Sequence, residues 1–170
     1  FCLESDLVEK AITPATRAII AVNLFGHPAE LKRLRALADA KGLYLIEDNA
    51  QAILAEDDGQ LAGTIGHIGI YSLNVHKHIQ VGEGGVCVTD DAQLALRLQL
   101  IRNHAEAVVE GMGVTDLTNM VGYNFRLGEI ECAMGISQLK KLQNYLDSRQ
   151  RVATRLNEKL SSLPGLTTPF

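Results

Sequence analysis

The sequence predicts an α/β fold, a three-layer sandwich around a mainly parallel sheet. Short aliphatic runs that read as buried strands alternate with segments of helical periodicity, and capping or turn residues stand between them. The chain has 170 residues, 46% of them hydrophobic, which is enough to fill one real core. Neither an internal repeat nor a low-complexity tract interrupts the alternation.

Residues 18–22 form the first aliphatic run and read as a buried strand. Leu24-Phe25-Gly26-His27-Pro28 breaks it, and Pro28 suits the first position of a helix. Over 29–41, Leu31, Leu34, Leu37 and Ala38 line one helical face, and Gly42 is placed to cap the end. Residues 43–46 are the next strand, with Asp48 just past its carboxyl end; 68–73 and 86–89 are two more. Thr89-Asp90-Asp91 caps a helix over 92–103 that turns Leu94, Leu98 and Ile101 inward. Residues 105–121 lack periodicity and read as an excursion or active-site loop. One long helix is then expected from Arg126 to about residue 160, carrying Ile130, Ala133, Met134, Leu139, Leu142 and Leu146, with Pro164-Gly165 as its stop.

Composition narrows the function classes. A net charge of −4 with mixed signs gives no basic footprint for nucleic acid. No apolar run approaches the roughly 18 residues that span a bilayer, and no signal peptide is recognisable, so a cytoplasmic protein is expected. The chain opens at Phe1 rather than Met, so a preceding segment is expected. Cys2, Cys87 and Cys132 are odd in number and far apart, and read as buried reduced thiols rather than a disulfide or zinc set.

The chemistry concentrates in three segments: Ile46-Glu47-Asp48-Asn49-Ala50-Gln51-Ala52, Ser72-Leu73-Asn74-Val75-His76-Lys77, and Gly82-Glu83-Gly84-Gly85. An acid at a strand end, a Ser five residues before a Lys, and a glycine turn behind it suit pyridoxal 5′-phosphate. That cofactor needs a lysine amine for a Schiff base, a carboxylate for its ring nitrogen, and donors for its phosphate. In α/β sheets ligands sit outside the carboxyl ends of strands, where Asp48 and Lys77 both fall. Taken alone, Asp48 reads first as a cap or turn former and Lys77 as a solvated lysine, and Ser72 could be a strand serine; their conjunction is what carries the reading. Glu47 reads as a strand-end or interface residue. The glycine turn is no dinucleotide fingerprint. His76 and His78 flank Lys77, but no Cys or carboxylate set completes a metal site.

The wording of these segments resembles the DegT/DnrJ/EryC1/StrS sugar aminotransferases, through nearly the whole chain. The resemblance implies a fold type I, PLP-dependent enzyme working as a homodimer with a shared active site. Lys77 would hold the cofactor and move protons, Asp48 would pair with the ring nitrogen, Gln51 would lie against the ring, and Ser72 would hold the phosphate. Gly122-Tyr123-Asn124-Phe125-Arg126 resembles the family's G-x-N-x-R segment, whose asparagine reaches the neighbouring subunit's phosphate; Asn124 as a helix N-cap is the alternative. Arg102-Asn103-His104 also matches a family segment. The implied reaction moves an amino group from L-glutamate or glutamine to a nucleotide-linked keto sugar, in a setting such as polysaccharide biosynthesis. A PLP-dependent sugar dehydratase or a non-catalytic PLP-binding regulator is the alternative. Family dehydratases replace the lysine by histidine, and this chain keeps Lys77. Asn23, Ile53, Leu54 and His67 depart from the family's usual residues. The resemblance further implies that residues 1–147 are the central part of the large domain and 148–170 a helix entering a truncated small domain, with family segments lacking on both sides.

Overall fold

The computed structural model describes residues 1–105 and 120–168. In chain order these form α1 (Ser5–Ala11), β1 (Ala18–Val22), a 3-10 turn (Leu24–Gly26), α2 (Leu31–Lys41), β2 (Tyr44–Asp48), β3 (Glu56–Asp57), β4 (Gln60–Leu61), β5 (Ile68–Ser72), β6 (Gly85–Val88), α3 (Ala92–Arg102), α4 (Glu129–Leu139) and α5 (Leu142–Leu160). The main sheet runs β1-β2-β5-β6. The first three strands are parallel, with Val22 opposite Asp48 and Asp48 opposite Ile70. β6 is antiparallel to β5, because the chain between them carries no helix to make a parallel crossover. The α/β class with a mainly parallel sheet is therefore as expected.

The pleat divides the strand residues between two faces. Ile19, Ala21 and Leu45 face α2, whose Leu31, Leu34 and Ala38 are buried against them with Ala62 and Ile65. Each such leucine stabilises the fold by about 1.5–3 kcal/mol. Gly42 caps α2 in the left-handed region, φ 65°, and its N–H donates to the Ala38 and Asp39 carbonyls. The helix begins at Leu31 rather than Ala29, since Pro28 and Ala29 lie in the turn that leads into it. On the other face Ile20, Val22 and Tyr44 stay exposed, at 59%, 41% and 51%.

Several expectations change. The single long helix is two: Lys141 sits at φ −100°, ψ −11°, its N–H reaches back only to Gln138, and the axis breaks there. The break lets Leu142 tuck into a second core with Leu73, Ile79 and Val81. In α3, Asp91 Oδ1 accepts from Gln93 N and Leu94 N at 2.7 and 3.0 Å as expected. The fully buried residue of that helix, however, is Leu100, while Leu94, Leu98 and Ile101 are half-buried. Cys87 and Cys132 are exposed rather than buried, and half-buried Cys2 donates its Sγ–H to the His27 carbonyl at 3.1 Å. Cys87 lies on β6, none of whose residues is buried among the described residues. Of the expected loop over 105–121, residues 106–119 lie outside the described residues. No helix among the described residues is long and apolar enough to cross a membrane.

Candidate active site at the carboxyl ends of the strands

Parallel register brings the ends of β1, β2 and β5 to one edge of the sheet. Asp48 is the last residue of β2 rather than the first beyond it. It is half-buried, and Oδ1 accepts from the Ala50 N–H at 3.0 Å. Behind it lies a fully buried amide chain: Asn23 Nδ2 donates to Asn49 Oδ1 at 2.7 Å, and Asn49 Nδ2 to the Glu47 carbonyl at 3.2 Å. Asn23 Oδ1 accepts from Ala29 N at 2.8 Å. A buried amide is stabilising only when so satisfied, and here the satisfaction fixes the turn after β1 against the turn after β2. Gln51 is exposed, and its Oε1 accepts from Phe25 N at 3.0 Å.

Glu47, read from sequence as a strand-end or interface residue, is fully buried. Its Oε2 accepts from Gly63 N at 2.5 Å and its Oε1 from Ile65 N at 2.8 Å and from Gly66 N. Three backbone N–H groups supply the partners that a buried carboxylate needs. The same charge, after burial, holds the Tyr71 hydroxyl above its ordinary pKa. Strand alternation was the available signal, since Glu47 shares the inward parity of Leu45.

Ser72 ends β5 opposite Gly85, and its Oγ accepts from Asn74 N at 3.3 Å. The chain then loops out and back, pinned by Leu73 N to the Gly84 carbonyl at 2.8 Å and Val81 N to the Leu73 carbonyl at 2.9 Å. Lys77 stands within this loop, half-buried, with its N–H donated to the Asn74 carbonyl at 2.9 Å. Its ammonium forms no ion pair among the described residues. His78 is held below its ordinary pKa by burial first, then by the charges of Arg149 and Lys77.

Asp48, Gln51, Ser72 and Lys77 thus belong to one strand edge. Asn124 is instead bridged to Asn103 at the end of α3, where Arg126 Nη1 also donates to Asn103 Oδ1 at 2.7 Å. It does not cap a helix: Gly128 holds the N-cap position of α4.

A carboxylate and a loop lysine thus stand at the carboxyl edge of an α/β sheet. The model of the DegT/DnrJ/EryC1/StrS aminotransferase family matches residues 1–170, and the chain belongs to that family. It is 41% identical over 157 residues to the UDP-N-acetyl-3-dehydro-alpha-D-glucosamine 3-aminotransferase of Acidithiobacillus ferrooxidans, covering 92% of this chain and 41% of that protein. An aminotransferase structure from Psychrobacter cryohalolentis superimposes with a TM-score of 0.89 at 28% identity, covering 99% of this chain and 45% of that one. The Escherichia coli GDP-4-keto-6-deoxy-D-mannose-3-dehydratase, solved with bound hydrated PLP, gives 0.83 at 31% identity, covering 96% and 45%. The chain spans under half the length of these relatives.

Proposed function

We propose that the protein is a PLP-dependent aminotransferase that moves an amino group from L-glutamate or glutamine to a nucleotide-linked keto sugar. The observation that carries this reading is the pairing of β2 with β5, which gathers Asp48 and the Lys77 loop at one edge. The residues present fit the cofactor. Asp48 Oδ2 has no hydrogen-bond partner among the described residues, and Lys77 has no anion. A carboxylate with a spare acceptor and an amine free of any ion pair are what a pyridinium aldehyde requires.

When bound, PLP supplies an electron sink for the bond broken at the substrate carbon. Asp48 Oδ2 would hold the ring nitrogen of the bound cofactor, and Lys77 Nζ would hold its aldehyde carbon and move a proton during amine exchange. Ser72 Oγ would donate to the phosphate, Gln51 would lie against the ring, and Asn124 would complete the phosphate site of a second subunit in a homodimer. Residues 1–147 are read as large-domain core and 148–170 as the helix toward a small domain.

Borohydride reduction of the PLP-loaded protein, followed by peptide mass spectrometry, tests the assignment. A pyridoxyl group on Lys77 is the expected result; a label elsewhere would sink it.

A further inference from the structure

The glycine turn behind Lys77 contains one charged residue, Glu83, which the chemistry above leaves without a part. It is exposed and forms no ion pair among the described residues. Its Oε1 accepts from Asn74 Nδ2 at 2.7 Å. That is the short separation of a hydrogen bond to an ionised acceptor, a type roughly twice as strong as a neutral one. Asn74 stands on the leg of the loop that leaves β5, and Glu83 on the leg that returns to β6. The bond therefore ties the two legs side chain to side chain.

Asn74, half-buried, spends every polar group it has on this loop. Its N–H donates to Ser72 Oγ at 3.3 Å, and its carbonyl accepts from Lys77 N at 2.9 Å. Its Oδ1 accepts from His76 N at 3.0 Å, while Nδ2 serves Glu83. One asparagine thus connects Ser72, His76 and Lys77 to the glycine turn.

Two consequences follow from the directions of these bonds. Ser72 Oγ has one lone pair taken by Asn74 N, so its O–H proton is turned away from Asn74 and left to donate elsewhere. Glu83 decides which way round the Asn74 amide sits. An ionised carboxylate only accepts, so it takes the NH₂ end and leaves Oδ1 for the His76 N–H. Without an acceptor at position 83 the amide is free to turn over and set a donor against a donor.

We infer that Asn74 and Glu83 are a pair of positioning residues for the cofactor site, acting through the backbone and hydroxyl of the segment from Ser72 to Lys77. The inference rests on the PLP reading above.

Exchanging donor and acceptor tests it. Asn74→Asp sets a second carboxylate against Glu83. Adding Glu83→Gln restores the net charge and the bond, the amide at position 83 now donating to the carboxylate at position 74. The dissociation constant for PLP should rise at least fivefold in Asn74→Asp and return to within twofold in the double variant. The pH at which the loaded protein's visible absorbance changes should move and return in parallel. Hydrogen exchange at the His76 and Lys77 amides, measured without PLP, should quicken at least fivefold and then recover. The urea midpoint should hold throughout, since neither residue belongs to a core cluster. Should Asn74→Asp fail to fold, Glu83→Ala at the exposed end of the bond serves, with both quantities expected to move at least threefold in the same direction. Exchange or PLP affinity unmoved by the single variant, or a double variant no better than the single, overturns the pair. So does a loss of affinity that comes with a lowered urea midpoint, which would make the role structural. If the unsubstituted protein takes no pyridoxyl label on Lys77, the proposed function falls, and the exchange rates alone decide the pair.

Discussion

Glu47 and Asp48 are consecutive residues at the end of β2, and the pleat sends their carboxylates to opposite faces of the sheet. Glu47 is fully buried among the backbone N–H groups of Gly63, Ile65 and Gly66. Asp48 is half-buried, with one oxygen on Ala50 N. One dipeptide therefore secures a loop on one side and presents a half-buried carboxylate on the other.

Glu47→Gln should be costly. An amide keeps one acceptor oxygen and turns its NH₂ toward N–H groups that need an acceptor, so about 3 kcal/mol of stability should be lost. Urea unfolding measures it, and a loss under about 1 kcal/mol would show that the cradle contributes little.

Asp48→Asn should behave in the opposite sense. The Asn side-chain oxygen can still accept from Ala50 N, so stability should change by less than about 1 kcal/mol. Turnover with glutamate and a keto sugar should fall by about 10²-fold or more, the scale of removing a proton-holding or charge-stabilising group. Wild-type kcat in this variant would remove Asp48 from the mechanism.

Two glycines should respond very differently to alanine. At Gly69 a Cβ would stand 2.1 Å from the Gly63 carbonyl oxygen, a backbone atom that cannot swing aside. Gly69→Ala should cost about 3 kcal/mol or more by prising the loop from β5. At Gly42, φ 65°, nothing lies within 4 Å of the added carbon. The cost there is the left-handed backbone alone, about 1 kcal/mol. Paired thermal melts separate crowding from conformation.

The α1–α2 contact should weaken in acid. Ser5 N and Oγ donate to Glu30 Oε2 at 2.9 and 2.7 Å. Those bonds, the backbone one first and then the hydroxyl, lower the Glu30 pKa from an ordinary 4.5 to about 2. A depressed carboxylate favours the folded contact above its unfolded pKa, and that contribution is lost as pH falls from 4.5 toward 2. The Ser5 amide proton should titrate with a midpoint near 2 by NMR. In Ser5→Ala, where the hydroxyl bond is gone, the midpoint should move up; an unmoved midpoint would mean that the hydroxyl plays no part.

The strands were legible because aliphatic runs have few alternatives once Gly and Pro bound them, and β1 falls on the residues expected. The placement of Asp48 and Ser72 at strand ends, and of Lys77 in the loop after β5, was legible because each follows an aliphatic run. What escaped depended on partners that leave no mark in composition. Glu47 is satisfied by backbone N–H groups, which every residue possesses. The break at Lys141 arises because Leu142 finds a core made by Leu73, Ile79 and Val81, far away in the chain. Cys87 was expected inside because cysteines usually are, but it lies on β6, none of whose residues is buried among the described residues, and what covers a strand is set by distant parts of the chain. The short α1 and the β3–β4 hairpin are too brief for periodicity to register.

The loop that carries Lys77 leaves β5 and returns along β6, so both of its ends are stitched to the same sheet. Ile79 and Val81 anchor it from beneath. The disorder such a segment would otherwise forfeit on gripping a small molecule is surrendered during folding. Lys77 is therefore held in place by the fold itself, and a ligand that reached it would not have to order the chain.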